Sequence, residues 1–157
     1  MQYNHELDRY PITSREALYN CVYGGKGYIC LVAPTMKAHS YRFNKPRNKD
    51  DFPDDVIFVS VLHERSYFYI GMIENGKFRR TKNSRFEEDN ESVKGARYIL
   101  KLLDDPGLFH KTAMRMYHHG KCAVCGRKLT SGKYISLGVG PKCKNKVIQS
   151  AKQPKTV

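Results

Sequence analysis

Apolar positions recur at helical spacing near each end of the first hundred residues and at strand spacing between them. Thr13-Ser14-Arg15-Glu16 places a hydroxyl three residues before a glutamate, the pattern of a capping box. It predicts a short helix from about Ser14 to Cys21, stopped by Gly24-Gly25. From Gly27 the texture turns to strands. Tyr28-Ile29-Cys30-Leu31-Val32 lies between Gly27 and Pro34, and Tyr41-Arg42-Phe43 alternates before Pro46. The charged run Arg47-Asn48-Lys49-Asp50-Asp51 predicts an exposed loop.

Val56 to Leu62 is a near-continuous apolar run rich in branched residues, expected as a central strand buried on both faces. Tyr67 to Ile73 follows Glu64-Arg65-Ser66 as its hairpin partner. Asn75-Gly76 is a strong two-residue turn signal. The more polar Lys77 to Thr81 beyond it suits an edge strand. Asn90 then reads as an N-cap, and Val93, Ala96, Leu100 and Leu103 follow at spacings of 3, 4 and 3. Asp104-Asp105-Pro106-Gly107 closes that helix.

These elements predict an α+β protein: a small antiparallel sheet with flanking helices over residues 1–107. Residues 108–150 are expected as a basic zinc-binding module with a treble-clef-like fold, entered through a linker or short helix at Leu108 to Tyr117. Residues 151–157 are expected as a flexible tail. The 157 residues are 40% hydrophobic and 11% aromatic, which argues for a folded chain. No apolar run of about 18 residues is present, so no membrane span is expected. Glu6 and Asp8 interrupt any signal-peptide pattern, and the expected location is the cytoplasm.

Charge divides the chain sharply. Residues 1–105 carry 17 basic and 15 acidic side chains, whereas residues 106–157 carry 11 basic and none acidic. A polyanion is the natural partner for such a surface, and nucleic acid is the commonest one inside cells. No amphipathic helix with a broad apolar face accompanies the lysines, which disfavours a membrane surface.

That basic stretch also holds Cys122-Ala123-Val124-Cys125-Gly126 and, 18 residues after Cys125, Cys143. Cysteines three apart on a tight turn can aim both sulfurs at one ion, and intracellular cysteines cluster for metal more often than for disulfides. Leu129 to Leu137 is long enough for a hairpin turning at Ser131-Gly132. Pro141 suits the first position of a helix running to about Lys152, whose free N–H groups would favour the Cys143 thiolate. Position 146 is lysine, so His118 or His119 is needed to complete a tetrahedron around one structural Zn²⁺. Cys21 and Cys30 read as buried free thiols.

His118, Cys122, Cys125-Gly126-Arg127, Leu129-Thr130, Ser136, Gly138 and Gly140-Pro141-Lys142-Cys143 together resemble a C-terminal zinc-binding domain of unknown function found in bacteriophage and actinobacterial proteins. The resemblance implies His118, Cys122, Cys125 and Cys143 as ligands. Phe58-Val59-Ser60-Val61-Leu62, Tyr67 to Met72 and Lys82-Asn83-Ser84-Arg85 extend it upstream. Ser131-Gly132-Lys133-Tyr134-Ile135 departs from the family pattern, where Thr-x-Pro-Glu-Ser is common.

Two functions are expected to compete. One is a nucleic-acid-binding accessory protein of phage type, with Lys121, Arg127, Lys128, Lys133, Lys142, Lys144 and Lys146 on phosphates and with Tyr134, or Tyr67 and Tyr69, stacking on bases. The other is a protein-interaction module that binds a host polymerase, nuclease or defence complex, for which edge strands and zinc knuckles serve equally. Catalysis is not expected. Between Cys125 and Cys143 there is no histidine, aspartate or glutamate, and Asp50-Asp51, Asp54-Asp55 and Glu87-Glu88-Asp89 read as solvated loop charge.

Overall fold

The computed structural model describes residues 10–149, and the tail expected at 151–157 lies outside them. Ser14, one residue after Thr13, starts the first helix. Its extended backbone lets the hydroxyl accept from the Ala17 N–H at 3.1 Å. Helix α1 (Arg15–Tyr23) then buries Ala17 through Tyr23.

A two-residue strand not expected from the sequence, β1 (Tyr10–Pro11), precedes α1, and β2 (Lys26–Val32), β3 (Ala38–Asn44), β4 (Ile57–His63), β5 (Ser66–Glu74) and β6 (Lys77–Arg79) follow in the expected order. Two-residue turns fix the register, pairing His63 with Ser66 and Glu74 with Lys77. At the second turn Asn75 and Gly76 have φ of 53° and 75°, the left-handed pair that matches strand twist. Register slips between Val59 and Ser60, which face Gly71 and Tyr69, so β5 bulges at Ile70.

β4 is central, but only one of its faces is sealed. Ile57, Val59 and Val61 are buried beneath the helices, while Phe58 and Leu62 on the other face stay partly exposed. The expectation of burial on both faces fails because the two longest helices pack on one side alone.

Asn90 caps α2 (Glu91–Asp104), its Oδ1 accepting from the Ser92 N–H at 2.9 Å. The apolar stripe of α2 buries Val93, Ala96, Ile99, Leu100, Leu102 and Leu103. Each large side chain hidden this way contributes roughly 1.5–3 kcal/mol. Asp105 ends α2 and caps α3 (Pro106–Lys111), with Pro106 where its missing N–H costs nothing.

The chain then enters the sheet a last time. β7 (Arg115–His118) pairs with β2 on one side and β1 on the other, giving the antiparallel order β1-β7-β2-β3-β4-β5-β6 among the described residues. Residues 108–150, expected as a module of their own, thus supply an interior strand. Cys122, Ala123, Leu129, Val139, Cys143 and Val147 share one buried cluster with Leu18, Ile29 and Leu102.

Two local expectations are corrected. The hairpin over 129–137 is instead a short helix, α4 (Gly132–Leu137), begun at Ser131 and closed by Gly138, whose N–H donates to Tyr134 O at 2.8 Å. Of the helix expected from Pro141 to about Lys152, the described residues, which end at 149, form only a 3₁₀ turn at Lys144–Lys146. Val147 turns extended to enter the core, and the Ile148 N–H donates to Tyr23 O at 3.1 Å. No helix among the described residues is long and apolar enough to cross a membrane.

Candidate metal centre

Backbone hydrogen bonds shape the cysteine knuckle. The Cys122 N–H donates to Arg127 O at 2.7 Å and the Gly126 N–H to Cys122 O at 2.9 Å, a turn that needs φ of 81° at Gly126. Two further bonds moor it. The Lys26 N–H of β2 donates to Ala123 O at 2.7 Å, and the Ala123 N–H donates to Gly138 O at 2.9 Å. Cys143 arrives from the other side, its N–H donating to Gly140 O at 3.1 Å. The Sγ atoms of Cys122, Cys125 and Cys143 consequently lie within 4.8 Å of one another, the first and last buried and Cys125 exposed.

The electrostatics favour a cation there. Burial alone would raise the Cys122 thiol, but N–H groups of Cys125, Gly140 and Val124 aimed at its sulfur outweigh it and bring the pKa below the ordinary value. The Gly140 N–H reaches that sulfur at 3.4 Å. Cys143 goes the other way, pushed up to about 11 by burial and then by its two sulfur neighbours. One thiolate is thus stabilised while Cys143 resists ionising beside it. A soft divalent ion bound there would offset that resistance. Sulfur donors held by backbone N–H groups fit such an ion, and the group can hold a metal.

The structure does not bring His118 to the sulfurs. Its ring is 2% exposed and both nitrogens are engaged: Nδ1 accepts from the Gly120 N–H at 2.9 Å, leaving Nε2–H to donate to Ile135 O at 2.7 Å. Burial holds its pKa below the usual imidazole value, so it is neutral at pH 7. His119 turns to the opposite face of the sheet and stacks on Tyr28 at 4.6 Å. His118 is the last residue of β7 and His119 the first beyond it, and the two rings diverge there. Among the described residues the gathered ligand set is three sulfurs.

Lys121, Arg127 and Lys128 are exposed on the knuckle, and Lys142 and Lys146 are exposed on either side of Cys143. Lys133 lies over the Tyr134 ring at 5.6 Å, and Lys144 approaches Glu16 at 4.0 Å, which offsets part of its charge. Cys21 and Cys30 are buried free thiols. Of the acidic loops, Glu88 is gripped by Arg97 at 2.6 and 2.8 Å, and Asp55 accepts from the Asn75 N–H at 3.1 Å.

Residues 116–148 match DUF6011, a family of unknown function. The DUF6011 segment runs from Met116 in β7 to Ile148, so it includes all three cysteines and the strand that ties them to the sheet. No curated protein and no solved structure matches the chain.

Proposed function

We propose that this chain is a nucleic-acid-binding accessory protein of phage type, acting in the cytoplasm, in which one structural Zn²⁺ on Cys122, Cys125 and Cys143 holds a basic surface in shape. The observation that carries this reading is the set of exposed cations around the three sulfurs, in a stretch with no acidic residue after Asp105. Lys121, Arg127, Lys128, Lys142 and Lys146 enter no ion pair among the described residues, so they are available to phosphates. Lys133 and Lys144 add charge at the rim. Zinc suits a thiolate-rich set, and among the described residues no carboxylate joins it, which favours a structural role over metal-assisted hydrolysis.

Fluorescence anisotropy with a labelled oligonucleotide tests the proposal. Affinity is expected to fall steeply between about 50 and 200 mM salt, with a log–log slope near −0.9 per neutralised phosphate on duplex. Exchanging both Arg127 and Lys142 for glutamate should reduce the slope by about one per lost contact. Binding insensitive to salt would overturn the reading. It would favour docking to a host protein instead, for which the exposed edge strand β6 offers unpaired backbone. Pull-down from host lysate with and without nuclease separates the two.

A further inference from the structure

Strand β2 runs between two surfaces. Its first residue, Lys26, bonds to Ala123 of the cysteine knuckle, and its last, Val32, leads into a tight turn about 20 Å away. The turn spans Ala33 to Lys37, closed by the Ala33 N–H donating to Lys37 O and the Met36 N–H to Ala33 O, both at 2.8 Å. Met36 has φ of 69° and is the one large apolar side chain left exposed among the described residues, at 72%. The turn itself asks for neither. Asparagine or glycine holds the left-handed region at lower cost, and a polar side chain suits water better. A single exposed apolar side chain is ordinary by itself. This one borders a cleft.

The cleft, of about 480 Å³, opens between the turn and α2. Leu31, Ala33, Tyr98 and Met114 give it an apolar floor, and the Tyr98 hydroxyl is already engaged by Thr112 Oγ1. Thr35 and Lys37, the neighbours of Met36 in the turn, line the same cleft, so the methionine stands at its rim. Helix α2 supplies Glu91 and Lys94. Lys94 enters no ion pair among the described residues. Lys37 meets Glu91 at 3.3 Å, but both side chains are more than half exposed, so the pair holds weakly. His39 adds no charge at pH 7, since burial holds its pKa below the ordinary value. Two lysines against one carboxylate leave the rim positive.

We infer that an acidic segment of a partner protein docks here, seating an apolar side chain on the cleft floor, covering Met36 and placing carboxylates on Lys37 and Lys94. A small molecule confined to the cleft leaves Met36 in water, whereas a chain crossing the rim covers both. Phosphates gain nothing from an apolar floor. A second copy carries the same net charge of +13, which opposes self-docking. The inference goes beyond the nucleic-acid reading and does not depend on it. Cleft and knuckle lie at opposite ends of β2, so both can be occupied at once.

Selection of displayed random peptides on the full chain tests it. The enriched sequences should combine Asp or Glu with Leu, Ile, Phe or Trp, and labelled synthetic copies should bind the chain in fluorescence anisotropy. Met36→Asn removes the apolar contact and puts in the turn a residue that tolerates its backbone. Melting temperature should therefore hold while affinity falls about 5- to 30-fold. Lys94→Glu, exposed on α2, should weaken binding by a similar factor. Lys26→Glu, the same charge change at the far end of β2, should leave it unchanged. Equal losses from Lys94→Glu and Lys26→Glu would reduce the attraction to general charge and overturn the docking site. Peptides without acidic residues, unchanged affinity for Met36→Asn, or no enrichment at all would overturn it too.

Discussion

Leu102 and Cys122 are equally hidden from water, at 0% and 1% exposure, yet different physics keeps them inside. Leu102 sits on the apolar stripe of α2, where aliphatic side chains from helix and sheet exclude water along a whole face. Cys122 sits in irregular chain between β7 and α4, held by its hydrogen bonds to Arg127 and Gly126, by those of Ala123 to Lys26 and Gly138, and by the sulfurs beside it. The first region is stable through area buried, the second through a few directed bonds and a charge that three thiolates can hold. Hydrocarbon burial is forgiving of sequence detail, because any side chain of suitable volume serves. Directed bonds are not.

Metal removal should break the comparison most visibly. A structural zinc supplies on the order of 10 kcal/mol of apparent binding energy in small zinc modules. Chelation, or Cys122→Ser, is therefore expected to release the ion and expose amides over 119–148 to hydrogen exchange, while those of β4 and α2 stay protected. Uniform loss of protection would show that one cooperative unit spans both regions. Elemental analysis of the purified chain gives the stoichiometry, expected at one ion.

A smaller effect separates ligand from scaffold at His118. Replacing it with alanine leaves the buried Gly120 N–H unpaired, at about 1–3 kcal/mol, and takes from Ile135 O one of its two donors. Melting temperature should fall while metal content stays at one. Metal content falling below one ion would restore His118 as the fourth ligand.

The smallest predicted effect lies where the two regions touch. Burial, then the charge of Cys122, pushes the Cys21 thiol up to about 12. Because the folded value exceeds the free-thiol value, the neutral thiol's contribution is complete below about pH 8.5 and is lost as pH rises towards 12. Thermal melts across that range should decline, and Cys21→Ala should flatten part of the decline. An identical slope in the variant would place the alkaline loss elsewhere, with the buried Tyr41 hydroxyl the next group to suspect.

Much of the aliphatic region was legible because its signals are local. Asn75-Gly76 demands a tight turn, and Asn90 with the 3-4-3 stripe demands a helix, whatever surrounds them. The place of Arg115–His118 in the sheet was not legible, since it depends on which edge of β2 is free after α1 and β3 are placed. The resemblance pointed to His118 as a ligand, whereas its place at the end of β7, with both ring nitrogens bonded to Gly120 and Ile135, depends on that same unread strand. Ser131 and Gly138 did bracket α4 as cap residues, a signal outweighed by taking Ser131-Gly132 as a hairpin turn.

The position of β7 has a consequence for how the protein is made. Synthesis runs from the N-terminus, so β2 to β6 can pair as a meander while one edge of β2 still waits for a strand encoded nearly ninety residues later. Until residue 118 has emerged, Leu31 and Cys30 offer open backbone to any passing extended chain. The segment that carries the three cysteines thus closes the sheet as well as following it, and a chain stopped before Arg115 would carry a naked interior edge where the finished protein has none.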